Sequence, residues 1–299
     1  MNPLTKVFVA LRAAARHPLY RQEPIRAMWA FCRTQIAARA LGCEVCVGFP
    51  NQTKLLVPPR MKGAAHFIFP RLCEFEDMAF VMHFLRPDDL FCDGGANIGA
   101  YTVLASGVAG ARTIAFEPSP STYLVLEDNV RLNGLNGKVI TKNLALGRNA
   151  GTVPFAEGLG TESRVLRDAG NETMACTKVK VSRLDDELAG QVPALMKIDV
   201  EGYEVEVFAG AKAILAAPSL QALVVERWRT ATRPGSDEAK LHAEIRSAGF
   251  SSHRYVPAER RLMPLDDQAF GDIIYVRDLK AASERLRKAS PFRIDGNQI

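Results

Sequence analysis

From about residue 76 onward, short apolar runs alternate with amphipathic stretches, and this alternation limits the fold more than any other feature of the chain. The runs at Leu90–Asp93, Thr113–Phe116, Val139–Lys142, Ala194–Asp199 and Leu220–Glu226 read as strands. Between and around them, Glu76–Leu85, Ile98–Val108, a stretch opened by Ser119 and Pro120, Tyr203–Leu215 and Asp237–Ala248 read as helices. Ser182-Arg183-Leu184-Asp185 has the spacing of a capping box, and Phe250–Val256 and Asp272–Val276 read as closing strands. Strand and helix in strict alternation imply a mostly parallel, doubly wound α/β sheet with helices on both faces. In such a sheet ligands bind beyond the carboxyl ends of the strands, so the residues just after each strand are the ones to inspect.

The sharpest of these is Asp93-Gly94-Gly95-Ala96-Asn97-Ile98-Gly99-Ala100-Tyr101, which leaves one strand and opens a helix. Gly94 and Gly95 allow a tight turn and close approach of a ligand to the backbone, and Gly99 falls where helix and strand must pack. A dinucleotide fingerprint has this outline, but here an acid stands directly before the glycines and Asn97 replaces the middle glycine. A carboxylate in that place repels a pyrophosphate and attracts a ligand carrying an ammonium group. Glu117 ends the next strand, 24 positions after Asp93, at the spacing of an acid that binds ribose hydroxyls. The bland alternative is two strand-terminal acids that merely face water.

These residues resemble the signature of the FkbM family of methyltransferases. The resemblance runs through Phe116-Glu117-Pro118, Asn143 to Gly147, Leu184-Asp185, Lys197-Ile198-Asp199-Val200-Glu201-Gly202 and Gly210-Ala211, and covers about residues 74–226. It implies a Rossmann-like class I methyltransferase fold with a seven-stranded sheet, S-adenosylmethionine as methyl donor, and O-methylation of a sugar, glycan or secondary metabolite. It also implies that Asp93, Gly94, Gly95, Asn97 and Gly99 surround the methionine end, that Glu117 and Pro118 border the ribose, and that Asn143 lies near the adenine. Glu76 is a further candidate contact, weighed against a solvated acid in the first turn of a helix.

A sugar hydroxyl is a weak nucleophile, so a base close to the transferred methyl helps the reaction. Asp199, at the end of its strand, is the expected base or acceptor-orienting group, with Glu201, Lys197 and Glu226 in support. The alternative is that Lys197 and Asp199 form an ion pair that braces the turn. Carboxylates gathered there would also suit Mg²⁺, although nothing in the sequence requires a metal. The long irregular segment 157–176 reads as a lid or substrate loop, with Ser163 and Arg164 as acceptor contacts. His66 and His253 are candidate bases, and none of the five histidines has metal-ligand spacing.

Composition narrows the partners. The chain has 299 residues, 47% hydrophobic and 24% charged, as expected of a globular protein. Its net charge of +5 is uneven: seven Lys/Arg and one acid fall in residues 1–43, five Lys/Arg and two acids in residues 280–299, and the body between is net acidic. This argues against nucleic acid as a partner of the core and leaves a basic flank open to an anionic surface. Two rival readings share the fold: an NAD-linked sugar-modifying enzyme predicts a Gly where Asn97 stands and a Tyr/Lys catalytic pair, and a non-catalytic binding module predicts decay of the donor residues Asp93, Gly95, Asn97 and Glu117. Six cysteines in a chain of this length are not a disulfide framework, and Cys43-x-x-Cys46 lacks a partner pair. No stretch is long and apolar enough to span a bilayer, so the expected place is the cytoplasm, with peripheral membrane contact as a hypothesis. The expected organisation is a basic N-terminal helix and small β extension (1–70), a methyltransferase domain (71–279) and a basic C-terminal tail (280–299). The helical period Ile25, Met28, Trp29, Cys32, Ile36, Ala40 is expected to pack on the core rather than lie on a membrane with Arg26 and Arg33 on one stripe. The sequence leaves the oligomeric state undetermined.

Overall fold

The structure is a computed structural model. It describes residues 17–19, 25, 29, 44–58, 72–156, 164–165, 176–227, 237–266, 269–294 and 296–299. A hairpin of β1 (Val45–Gly48) and β2 (Lys54–Val57) comes first. Strands β3 (Leu90–Gly94), β4 (Arg112–Phe116), β5 (Val139–Lys142), β10 (Leu195–Ile198), β11 (Ala222–Arg227), β12 (Ser251–Val256), β13 (Arg261–Pro264) and β14 (Gly271–Val276) form the main sheet. The strands lie in the order β13-β12-β14-β11-β10-β3-β4-β5. From β5 to β11 all neighbours are parallel; β14 runs antiparallel between β11 and β12. The chain winds outward from β3 to β5, then returns to β10 on the other side of β3. The switch point between β3 and β10 therefore opens a crevice at their carboxyl ends.

This is the doubly wound α/β architecture expected, with one more strand than the expected seven. The eighth, β13, pairs with β12 across a turn at Pro257–Glu259. Four residues ending in Pro264 carry little strand signal, and a proline is tolerated there because the strand lies at the edge.

Strand burial explains why the alternation was so legible. Every residue of β3 and β10 is buried, as expected for central parallel strands covered on both faces. Side chains on alternate positions enter two separate cores. Phe91, Leu195, Val224 and Ile274 meet helix Phe75–Phe84 on one face. Cys92, Met196, Ile198, Val225 and Tyr275 pack on the other with helices Glu204–Ala209, Lys212–Ala216 and Asp237–Ser247. By the same period of two, Asp93, Lys197, Glu226 and Asp272 belong to the first face.

Local departures have local causes. Tyr203–Leu215 is two helices, Glu204–Ala209 and Lys212–Ala216, interrupted at Gly210. A Cβ on Gly210 would stand 2.1 Å from the Gly147 carbonyl oxygen, so two backbones cross there and the helix cannot run through. The stretch Ile98–Val108 begins as a turn, becomes α-helical at Ala100–Val103 and widens to π geometry over Leu104–Val108. Ser182 does not cap the helix Leu184–Leu188: the capping position is Arg183, and Ser182 ends β9 (Cys176–Ser182). Asp185 instead accepts the backbone N–H groups of Ala213 and Ile214, capping the helix Lys212–Ala216 from a distance.

A second sheet was not foreseen. β6 (Ala145–Leu146), β7 (Gly151–Ala156), β8 (Arg164–Val165) and β9 pair in the order β6-β9-β7-β8 around Phe155, Val179 and Val181. Most of the segment 157–176, Ser163 included, lies outside the described residues.

Asn129, fully buried on helix Pro120–Leu132, ties the β1–β2 hairpin to the glycine turn. Its side chain accepts from Leu56 N at 2.6 Å and donates to Leu56 O at 3.0 Å and Ile98 O at 2.8 Å. At the other end of the chain, helix Leu279–Arg287 and the hairpin β15 (Arg293–Ile294) and β16 (Asn297–Gln298) bury Leu286, Phe292 and Ile294 against the body.

Of the N-terminal periodic stretch, Ile25 and Trp29 are described. Both are helical, and they are 78% and 70% exposed. The expected packing of this face on the core is not met at these two positions. Met28, Cys32, Ile36, Ala40, Arg26, Arg33, Cys43 and His66 lie outside the described residues. No helix among the described residues is long and apolar enough to cross a membrane.

Candidate active site

A cleft opens at the switch point, taking in about 990 Å³, part of it open to solvent. Gly95, Ala96, Asn97, Glu117, Pro118 and Thr122 line one end, and Lys197, Asp199, Val200, Glu201 and Tyr203 the other. Leu144, Leu146, Phe155 and Val165, from the second sheet and the approach to it, form an apolar wall.

The first end is built from backbone. Gly95 N and Ala96 N both donate to Phe116 O, at 3.0 and 2.9 Å, which folds the glycine turn onto β4. Gly95 has φ +84°, and a Cβ there would lie 1.9 Å from Asp199 O; glycine is required on both counts. Asn97 also sits in the left-handed region, φ +51°, where asparagine is among the residues best tolerated. Its N–H donates to Glu117 Oε2 at 2.9 Å, and its own Oδ1 accepts from Ile98 N at 2.8 Å. Glu117 Oε1 accepts from Ser119 N at 2.8 Å, so two backbone donors fix a carboxylate that is only 6% exposed. Asn143 lies behind this layer. Its amide donates to Glu117 O and Pro118 O at 2.8 and 3.1 Å and holds the loop that carries Glu117. Gly94 and Gly99 pack against Ile198 and Leu126 and do not line the cleft.

Asp93 is fully buried beneath the cleft, not on its surface. Oδ2 accepts from the Thr102 hydroxyl at 2.6 Å, and Oδ1 is buried with no hydrogen-bond partner. Burial pushes its pKa up to about 6, against the pull of Lys197.

The other end is built from charge. Lys197 and Asp93 are register neighbours on β10 and β3. The Lys197 ammonium donates to Asp199 Oδ2 at 2.7 Å and stands 4.5 Å from the centre of the Tyr101 ring. Burial works to lower the Lys197 pKa, but Asp199, Glu74, Asp272 and Asp93 outweigh it and the net shift is upward. The bracing ion pair is therefore present, and Asp199 still lines the cleft. Glu201, φ +54°, and Gly202, φ +93°, turn the chain so that Glu201 lines it too.

Glu226 on β11 faces Asp272 on β14 in register. Burial pushes the Glu226 carboxyl up to about 8, helped by Asp199, Glu201, Glu204 and Asp272, and Oε2 is buried without a hydrogen-bond partner. Burial and Glu74 likewise raise Asp272 to about 7. Carboxylate oxygens of Asp199, Glu204 and Glu226 lie within 4.8 Å of one another.

Sequence reasoning missed four acids here. Glu74, rather than the exposed Glu76, lines the cleft, and it accepts from the Tyr101 hydroxyl at 2.6 Å. Glu204 is 3% exposed and accepts from Val200 N and Gly202 N at 3.1 and 3.2 Å, which sets the turn that carries Glu201. Asp77 and Asp272 complete the group. Asp272 could have been found by pairing the start of its strand with the end of β11; Glu74 and Asp77 carry no pattern that separates them from Glu76. Arg164 lies on β8, paired with Ala156. His253 is buried in β12, two strands beyond β11, with Nδ1 on Ser251 O, and it does not reach the cleft.

Comparison with known proteins gives the family. Methyltransferase sdnD of Sordaria araneosa is 28% identical over 226 residues, covering 64% of this chain and 85% of that protein. Hexuronic acid methyltransferase AglP of Haloferax volcanii is 28% identical over 123 residues, covering 41% of this chain and 50% of that one. The crystal structure of methyltransferase FkbM from Methylobacillus flagellatus KT superposes with a TM-score of 0.45 at 16% identity, over 86% of this chain and 60% of that one. The methyltransferase FkbM domain matches residues 93–252, just over half of the sequence and all but one strand of the main sheet's parallel core with both ends of the cleft. The chain belongs to the FkbM methyltransferase family.

Proposed function

We propose that this protein is an S-adenosylmethionine-dependent O-methyltransferase whose acceptor is a hydroxyl of a sugar, a glycan or a secondary metabolite. The observation that carries the reading is one cleft with a backbone-fixed Glu117 at one end and, at the other, Asp199, Glu201 and Glu74 around Lys197, the single buried amine among the described residues, with Glu204, Glu226 and Asp272 behind them. The donor fits what is there. Glu117 accepts hydrogen bonds from a ribose diol, Gly95 leaves the room a Cβ would fill, and the apolar wall of Phe155 and Val165 suits a purine. The unpartnered, buried Asp93 Oδ1 and the acids around Lys197 favour a cationic ligand over a phosphate. When bound, S-adenosylmethionine supplies a methyl group already activated by the sulfonium.

The chain's own work is then orientation and proton management. Asp199, at the cleft surface, accepts a hydrogen bond from the acceptor hydroxyl. Lys197 fixes that carboxylate at 2.7 Å. Glu226, with its pKa near 8, holds the proton that leaves the hydroxyl. Glu201 and Tyr203 flank the place where the acceptor enters. So many acids favour a neutral hydroxyl group at the reacting position; the relative AglP is named for a sugar acid, which supports a sugar as acceptor class. Oxygen donors at Asp199, Glu204 and Glu226 are of the kind that hold Mg²⁺, but orientation and base catalysis need no metal here. The test is methyl transfer from labelled S-adenosylmethionine to a panel of sugars and hydroxylated metabolites. Label in an ether-linked methyl supports the reading; label only in carboxylate esters or amines overturns it.

A further inference from the structure

Among the described residues, Ile25 and Trp29 are the two most exposed large apolar side chains, at 78% and 70%. Both are helical, and four residues is the spacing at which helical side chains share one face. A single exposed apolar residue is ordinary, but two adjacent ones including a tryptophan call for a partner. The charge around them indicates which: residues 1–43 hold seven Lys/Arg against one acid, while the body from residue 44 to 279 is net acidic. Apolar side chains set in a basic stretch match an anionic phospholipid surface. The rings of tryptophan settle at the headgroup level, and each Lys or Arg near the surface adds attraction. A protein surface would satisfy the apolar pair equally well but gives no reason for so one-sided a charge.

We propose that the N-terminal flank docks this protein on an anionic membrane surface, with Ile25 and Trp29 as the inserted pair. The acidic body between residues 44 and 279 is repelled by the same surface, which favours contact through the flank. The protein would thus work beside membrane-borne acceptors.

The test is flotation of the full chain with vesicles of phosphatidylcholine alone and with about 30 mol% phosphatidylglycerol. Binding is expected only with the anionic lipid and should fall at least about tenfold between low and roughly 0.5 M salt. The double variant Ile25→Ser with Trp29→Ser should lose about tenfold or more of the partitioning, while Leu124→Ser, 58% exposed on helix Pro120–Leu132, should not. Both variants alter exposed side chains, and a thermal melt checks that each remains folded. The chain has two tryptophans, so Trp228→Phe leaves Trp29 as the sole reporter; its emission should shift to the blue on anionic vesicles. A protein that stays unbound with anionic vesicles at low salt overturns the proposal. So does binding that the double variant leaves intact. A dimer that the double variant disperses, with no vesicle binding, would assign the pair to a second copy of the chain and overturn it as well.

Discussion

The two ends of the cleft are made in different ways. At the end under β3 and β4, the carboxylate and the glycine turn that meet the cleft are held by backbone hydrogen bonds. Glu117 has Asn97 N and Ser119 N, and the glycine turn has Phe116 O. At the end under β10, β11 and β14, acids outnumber their partners. Glu226 and Asp272 are pushed up to about 8 and 7, and the Glu226 Oε2 atom lacks a hydrogen bond. A site whose geometry is complete before the ligand arrives suits a ligand that never changes, such as a donor. A site left with excess negative charge and titratable protons suits chemistry, because the proton that leaves an acceptor needs somewhere to go.

If this contrast is right, damage at the two ends should look different. The largest effect is expected at Gly95. Gly95→Ala puts a Cβ 1.9 Å from Asp199 O at φ +84°, and should cost on the order of 3 kcal/mol or more and abolish donor binding. Gly202→Ala at the other end, φ +93° with open space around it, should cost only about 1 kcal/mol. Urea denaturation compares them, and equal losses would erase the distinction.

Next come the carboxylates. Glu117→Gln should weaken donor binding about 10- to 100-fold, the worth of a charge-assisted hydrogen bond, with a smaller change in the chemical step. Asp199→Asn should do the reverse, lowering kcat about 100-fold with donor Kd within roughly threefold. Calorimetry and single-turnover kinetics separate the two. A shared pattern would mean that the ends act as one site.

The pH dependence sharpens the acceptor end. Activity should rise with pH as the carboxyl of Glu226 loses its proton, levelling off above about pH 8, and Glu226→Gln should remove that rise. Stability should move the other way. A carboxyl raised from 4.5 to about 8 on folding contributes stability that is full below about pH 4.5 and is lost as pH climbs to 8. Glu226→Gln should therefore raise Tm at about pH 9 by roughly 2 °C and leave it nearly unchanged at about pH 4, after allowance for solvent screening. A Tm gain at low pH instead would give the shift the wrong sign.

The smallest expected effect is from metal removal. Activity after EDTA treatment should stay within about twofold, because Lys197 and retained protons already offset the cluster. A loss restored by Mg²⁺ would move Asp199, Glu204 and Glu226 from proton handling to metal binding.

The same contrast explains what was legible in the sequence. The donor end is local: Asp93 to Asn97 is one continuous turn, and Glu117 ends the very next strand, so spacing alone finds it. The acceptor end gathers residues from five elements, strands β10, β11 and β14 and the helices at 75–84 and 204–209, and its members meet only in the folded chain. Lys197 and Asp199 share a strand and could be read together, and Glu226 follows from strand order. Asp272 arrives on an antiparallel strand 46 positions after Glu226, and Glu74 comes from a helix start that also holds Glu76 and Asp77. Which of these acids turns inward depends on where the helix begins relative to the sheet, and no periodic pattern reports that. In the sequence Asn97 reads as a departure from the dinucleotide fingerprint; its structural part, a left-handed turn that offers its N–H to Glu117, needs coordinates. The second sheet escaped notice because β6 and β8 are two residues long and are held by pairing to β9 and β7, not by any period of their own.

The central claim is that the β3–β4 end binds S-adenosylmethionine through Glu117 above a buried Asp93. Isothermal titration of the native chain with S-adenosylmethionine, beside Asp93→Ala and Glu117→Ala, tests it most directly. The account predicts one site per chain, weakened by both substitutions, and no binding of NAD. Binding that neither substitution alters, or NAD bound in place of S-adenosylmethionine, would contradict it.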